Sequence, residues 1–135
     1  MTVGFNHLGQ LGQLGNQMFQ YAITKSVASK LNVPFKIPNH QNIFDDGIGN
    51  RYTILLFDIF KLESLTDFGF VDTQKYVQEG HFHYDEDIFN ISPQEDFSLW
   101  GFFQSEKYFK NIEKDIRDDF KFKDELVSSC QSIIE

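Results

Sequence analysis

The sequence has one cysteine, Cys130, so no internal disulfide can form, and no Cys/His group has zinc-finger spacing. That absence suits a cytoplasmic chain. Arginine is nearly missing too: Arg51 and Arg117 are the only two, and neither has an arginine neighbour. No uncharged apolar run approaches the about 20 residues that span a bilayer. The first residues lack the basic start and continuous apolar core of a secretory signal. Positive charge is short throughout, with 12 Lys and Arg against 20 Asp and Glu and a formal net charge of −8. This argues against a general nucleic-acid binder or a polybasic membrane anchor, because both need a positive surface. It leaves room for a local cationic pocket that takes a phosphorylated ligand. What is present is globular: 41% of the 135 residues are hydrophobic and 16 are Phe, enough for one domain with a real core and too few residues for two.

Charge is missing locally as well. Between Met1 and Thr24 there is no Asp, Glu, Lys or Arg, although 24% of the chain is charged. Three glycines spaced three apart (Gly9, Gly12 and Gly15) run straight into a helix-like segment over 16–31. Glycines allow positive φ and close backbone approach. A glycine turn feeding a helix start leaves backbone N–H groups pointing outward, ready for an anion. Asn16 is placed to be the N-cap. Behind it, Met18, Phe19, Tyr21, Ala22, Ile23, Val27, Ala28 and Leu31 spread around most of the helix at 100° per residue, so this helix is covered on more than one face. A buried first helix after a tight turn, with no ligand, satisfies the same pattern.

Thr2–Phe5 reads as a first strand, and 33–37 alternates before Pro38, which suits a second strand. Strand, glycine turn, helix, strand is the opening of a parallel βαβ unit, whose ligands bind at the carboxyl ends of the strands. Residues 39–51 are rich in Asn, Asp and Gly and read as a loop. The dense apolar run 52–62 fits either a strand or a helix. Gly69 and Gly80 mark turns, and 80–84 reads as a short strand with His81 and His83 on one face. With Asp85 and Asp87 beyond, that pair could be drawn as a metal site or as solvated side chains at a strand end.

Residues 96–108, DFSLWGFFQSEKY, are the second informative stretch. Phe97–Trp100 reads as a strand, Gly101 as the break and Ser105 as the N-cap of a helix carrying Tyr108, Ile112, Ile116 and Phe120 at steps of four. Gln104, Ser105 and Lys107 stand where a strand-to-helix turn offers them to a ligand, or where they merely cap the helix. The last residues, 124–135, begin an amphipathic pattern through Leu126, Cys130, Ile133 and Ile134 and stop inside it, which reads as truncation.

Gly12 to Ala22, GQLGNQMFQYA, resembles the N-terminal signature of the bacterial and viral alpha-1,2-fucosyltransferases, glycosyltransferase family eleven. Trp100 to Phe109, WGFFQSEKYF, is similar to that family's G-Y-F-Q-S-x-K-Y-F segment, and Ile116, Arg117 and Phe120 follow it in order. His83-Tyr84-Asp85 resembles a short block that precedes it. The resemblance runs from about Thr2 to Phe122. It implies an α/β fold, the Rossmann-like N-terminal half of a two-domain, GT-B-like glycosyltransferase, with 1–135 as the acceptor-side domain. It implies transfer of L-fucose from GDP-fucose to the 2-hydroxyl of a galactoside with inversion and without a metal ion or other cofactor. The implied partners are a sugar nucleotide and a galactoside acceptor, with no nucleic acid. Peripheral membrane association through a glycan substrate is compatible with it. Gly15, Asn16 and Gln17 would line the cleft, with Gln104, Ser105 and Lys107 beside them.

The sequence departs from that family in one decisive way. Its donor-binding string H-x-R-R-x-D has no counterpart here, and the repeat LGQLGQLG lengthens the glycine turn. Paired arginines hold leaving phosphates with bidentate geometry. Without them the expectation is a fragment that lacks the donor half and shows little or no transfer by itself. A non-catalytic carbohydrate- or nucleotide-binding module of the same fold is the second reading, and a small α/β interaction protein with a purely structural glycine turn is the third.

Overall fold

The computed structural model describes residues 1–10, 12–38, 43–45, 51–62, 65, 67–79, 86–89 and 95–134. In chain order these form β1 (Val3–Gly4), α1 (Leu14–Leu31), β2 (Phe35–Lys36), β3 (Ile43–Asp45), β4 (Arg51–Thr53), α2 (Leu56–Ile59) and β5 (Tyr76–Gln78). A 3-10 turn (Glu86–Phe89), β6 (Phe97–Trp100), a longer 3-10 helix (Glu106–Ile112), α3 (Glu113–Asp119) and α4 (Asp124–Ile134) follow. Four strands make one sheet in the order β2-β1-β6-β5, and every pairing in it is parallel. The predicted βαβ opening is therefore present, with Val3 opposite both Phe35 and Phe97. β3 and β4 form a separate antiparallel pair.

The lack of charge in α1 up to Thr24 has a physical cause. Gln20, Tyr21, Ala22, Ile23 and Thr24 are all buried, and so are Gln17, Ser26, Val27 and Ala28. Five consecutive buried positions pass more than once around a helix of 3.6 residues per turn, so over residues 20–24 no side remains where a charge could reach water. The sheet contributes β1 and β2 to this cover, while the 3-10 helix Glu106–Ile112, the turn Glu86–Phe89 and α2 supply the rest. Tyr21, Ile23 and Val27 share the core with Val3, Phe5, Phe97, Leu99, Phe103 and Tyr108, none more than 1% exposed. The helix ends at Asn32, which takes φ 57 and ψ 48. Asparagine tolerates that left-handed conformation, and the Val33 N–H reaches back to the Ala28 carbonyl at 3.0 Å.

The helix begins two residues earlier than the sequence suggests, and Asn16 is not its cap. Gln13 holds the cap position in extended conformation and makes no side-chain capping bond. The Gln17 N–H closes the first turn on the Gln13 carbonyl at 3.0 Å. Gly12, at φ +115, turns the chain sharply enough to start helix at Leu14, and the Asn16 side chain lies over that glycine instead of capping.

The apolar run 52–62 is neither all strand nor all helix. β4 ends at Thr53, α2 covers Leu56–Ile59, and Phe60 bridges antiparallel to Phe122. Tyr108 and Ile116 are buried with Ile112 and Phe120 packed beside them, as the step of four predicts. α3 is tied to α1 by a buried polar cluster, in which Asp119 accepts from the Tyr21 hydroxyl at 2.7 Å and from the Lys25 ammonium. Asp119 is 2% exposed. The predicted strand 80–84, with His81, His83 and Asp85, and the Gly80 turn lie outside the described residues.

Candidate functional site

β1 and β6 are neighbours in the sheet although more than 90 residues separate them, and because they run parallel their carboxyl ends lie together. Ligands of open α/β sheets bind at this end of the strands. Here the chain leaving β1 runs through Phe5, Asn6, His7 and the glycine turn into α1, and the chain leaving β6 runs through Gly101, Phe102, Phe103, Gln104 and Ser105.

Several bonds fix these two segments. The Asn6 amide clamps Val71 from both sides, donating to its carbonyl at 2.8 Å and accepting from its N–H at 2.7 Å, while the Asn6 N–H donates to Ser98 Oγ at 2.9 Å. Asn6 is therefore spent on structure. The Gln20 amide donates to the Gly101 carbonyl at 3.2 Å. Gly101 takes φ +145 and lies against the Glu79 side chain, whose carboxylate accepts from the Phe102 and Phe103 N–H groups at 3.2 and 3.0 Å. Phe103 has φ 52, an outlier for a bulky residue. Such strain costs about 1–3 kcal/mol and gathers at ligand sites. The Glu79 carboxylate and the edge-on contacts of the Phe103 ring with Phe5 and Tyr108 hold it there.

At the mouth of this arrangement Gln104 Nε2 donates to Asn16 Oδ1. Besides that mutual bond the pair has a second donor, Asn16 Nδ2, and a second acceptor, Gln104 Oε1. Gly15, one residue away, is exposed, and a Cβ added to it would meet nothing within 4 Å. It opens a groove of about 290 Å³ lined by Met18, Phe19, Phe109, Ile116 and Phe120. Phe19, Phe109 and Ile116 also line an adjoining recess of about 470 Å³, whose rim carries Glu106, Lys110, Glu113 and Arg117. Arg117 is bonded to Glu113 one turn before it.

The six residues singled out from sequence thus separate into four places. Gly15, Asn16 and Gln104 come together. Gln17 lies apart from them: it is 1% exposed, and its Oε1 accepts from the Leu55 N–H at 2.7 Å, so its amide ties α1 to α2. Ser105 caps the 3-10 helix by accepting from the Lys107 N–H at 3.3 Å. Lys107 lines a different recess with Lys30, Phe89, Lys110 and Asn111.

Two residues at this end of the sheet escaped the sequence reading. His7, half-buried, lies with its ring tilted against Tyr76 of β5 at 5.5 Å between centroids. Glu79 anchors the loop after β6. Glu79 directly follows β5, a strand of three residues too short to register as a periodic pattern, and His7 stands three residues beyond the end of β1 with no motif around it. Among the described residues no three His, Cys, Asp or Glu side chains gather as a metal-binding group. Among them no helix is long and apolar enough to cross a membrane. Comparison with protein-family models, curated proteins and solved structures finds no match to this chain.

Proposed function

We propose that this chain is the acceptor-side, Rossmann-like part of a GT-B-like fucosyltransferase that moves L-fucose from GDP-fucose to the 2-hydroxyl of a galactoside with inversion. The observation that carries the reading is the bond between Asn16 and Gln104, which stand 88 residues apart in sequence. Each belongs to one of the two stretches that resemble the family, and they meet at the carboxyl ends of adjacent parallel strands.

In this reading the amide pair orients sugar hydroxyls, which both donate and accept. Gly15 admits the ring close to the backbone, and the groove along Phe19 and Phe109 receives its apolar face. The acceptor oxygen attacks the fucose anomeric carbon, the bond from that carbon to the phosphate oxygen breaks, and the hydroxyl proton passes to a base. Neither Asn16 nor Gln104 suits that last task, since an amide is a poor base. The departing diphosphate needs fixed positive charge. Arg117 is engaged with Glu113, and Arg51 has no arginine beside it. The reading therefore expects these 135 residues to bind acceptor without turning over donor.

Titration calorimetry of the chain with lactose, and separately with GDP-fucose, tests this. The expected result is saturable heat with lactose that weakens in Asn16→Ala and in Gln104→Ala. Absence of heat with both ligands would count against the reading.

A further inference from the structure

We infer that the recess between the end of α1 and the 3-10 helix Glu106–Ile112 binds the phosphoryl group of a small ligand. Its lining is Lys30, Phe89, Lys107, Lys110 and Asn111. Lys30 stands in the last turn of α1, and the other two lysines lie three residues apart on the 3-10 helix. The two elements are locked at this spot by Ser26, whose hydroxyl lies 2.5 Å from the Tyr108 carbonyl and 3.2 Å from Asn111 Oδ1. With its oxygen turned to Ser26, the Asn111 amide has Nδ2 as its donor.

The charge of the recess runs against that of the chain. Acids outnumber bases 20 to 12, yet among the described residues the charged ones lining it are Lys30, Lys107 and Lys110. Lys25, Lys61, Lys75, Arg117 and Lys121 each pair with a carboxylate, whereas neither Lys30 nor Lys110 does so among the described residues. The ammonium groups of Lys30 and Lys110 on one recess repel each other, and a bound dianion reverses the sign of that energy. Lysine binds phosphate as a point charge, without the fixed fork that arginine needs. The volume is about 250 Å³. That is below the roughly 300–1,000 Å³ of pockets that enclose a drug-sized ligand, so it accepts a phosphate or diphosphate and leaves the rest of the ligand outside. Phe89, packed at 6.4 Å from the Tyr108 ring, gives an apolar wall for the first carbons attached. The recess shares no residue with Gly15, Asn16 and Gln104, so the inference does not rest on the transferase reading.

The test is a calorimetric titration of the 135-residue chain with pyrophosphate at low ionic strength, repeated with Lys30→Gln, Lys110→Gln, the double variant and Lys114→Gln. These lysines are exposed, and a thermal melt checks that each variant folds. Saturable binding is expected, weakened about tenfold or more in the double variant and unchanged in Lys114→Gln, a lysine outside the recess. Vesicles of phosphatidylcholine with and without phosphatidic acid separate a lipid headgroup from a soluble phosphate as the source. Binding of either kind that Lys110→Gln weakens supports the site. Absence of both kinds, equal affinity in the double variant, or an equal loss in Lys114→Gln overturns it.

Discussion

Gly12 and Gly15 lie three residues apart in one glycine-rich turn, and the structure predicts opposite outcomes when each becomes alanine. At Gly12 φ is +115, and an added Cβ would stand 2.1 Å from Asn16 Nδ2 and 2.8 Å from both Asn16 Cβ and Cγ. The terminal amide can rotate away, but Cβ is fixed by the helix backbone, so the turn itself must move. The backbone conformation alone costs a side chain about 1–3 kcal/mol. Displacing Asn16 from Gln104 forfeits a further ~0.5 kcal/mol, the low end for an exposed hydrogen bond. A loss near 3 kcal/mol is a large part of the about 5–15 kcal/mol that holds a domain together, and lowers the thermal midpoint by roughly 10 °C. At Gly15 no atom lies within 4 Å of the added methyl, the residue is in the first helical turn, and φ is unexceptional. Alanine there removes unfolded-chain entropy and stabilises by about 0.5 kcal/mol. Urea unfolding followed by circular dichroism reads both changes. A Gly12→Ala variant as stable as the parent, or a Gly15→Ala variant less stable than it, would refute the geometry of this turn. If Gly15 is open to admit a sugar, Gly15→Ala also binds lactose more weakly while being the more stable protein.

The other predictions concern side chains that hold the site in place. Asp119→Ala takes a carboxylate from the Lys25 ammonium and an acceptor from the Tyr21 hydroxyl at a buried place and costs about 3–5 kcal/mol; the paired change Lys25→Met with Asp119→Leu recovers most of that in the same urea assay. Gln17→Ala leaves the Leu55 N–H without its acceptor and costs about 1–3 kcal/mol, while lactose affinity at a temperature where the variant is folded stays unchanged. Asn16→Ala does the reverse, with stability within about 0.5 kcal/mol of the parent and affinity reduced. Glu79→Ala removes the acceptor for Phe102 and Phe103, and hydrogen exchange at those two amides accelerates more than at Leu99 in the neighbouring strand.

How much of this was legible before the structure depends on the reach of each interaction. The β1–α1–β2 unit, the strand Phe97–Trp100 and the amphipathic steps through Tyr108 and Ile116 are written in local periodicity, and all are present. The all-round burial of α1 over residues 20–24 was legible from the lack of charge up to Thr24. The start of α1 was not, because Asn16 satisfies a capping pattern that the positive φ of Gly12 overrides. Gln17 and Asn16 are adjacent polar amides in the sequence, and only the helix rotation of 100° sends one inward to Leu55 and the other outward to Gln104. The run 52–62 was ambiguous because it holds the end of one element, a single helical turn and a bridge. The lysine recess joins positions 30, 107 and 110, and no local pattern connects them.

The claim at the centre of this account is that Asn16 and Gln104 form a sugar-binding pair at the carboxyl ends of β1 and β6. The side-chain amide resonances of the 15N-labelled chain test it directly during a titration with lactose. The account predicts that the Asn16 and Gln104 NH2 signals shift together and saturate, while the buried Gln17 signal stays in place. Signals of Asn16 and Gln104 that do not move at saturating lactose, or a shift confined to residues far from the glycine turn, would contradict it.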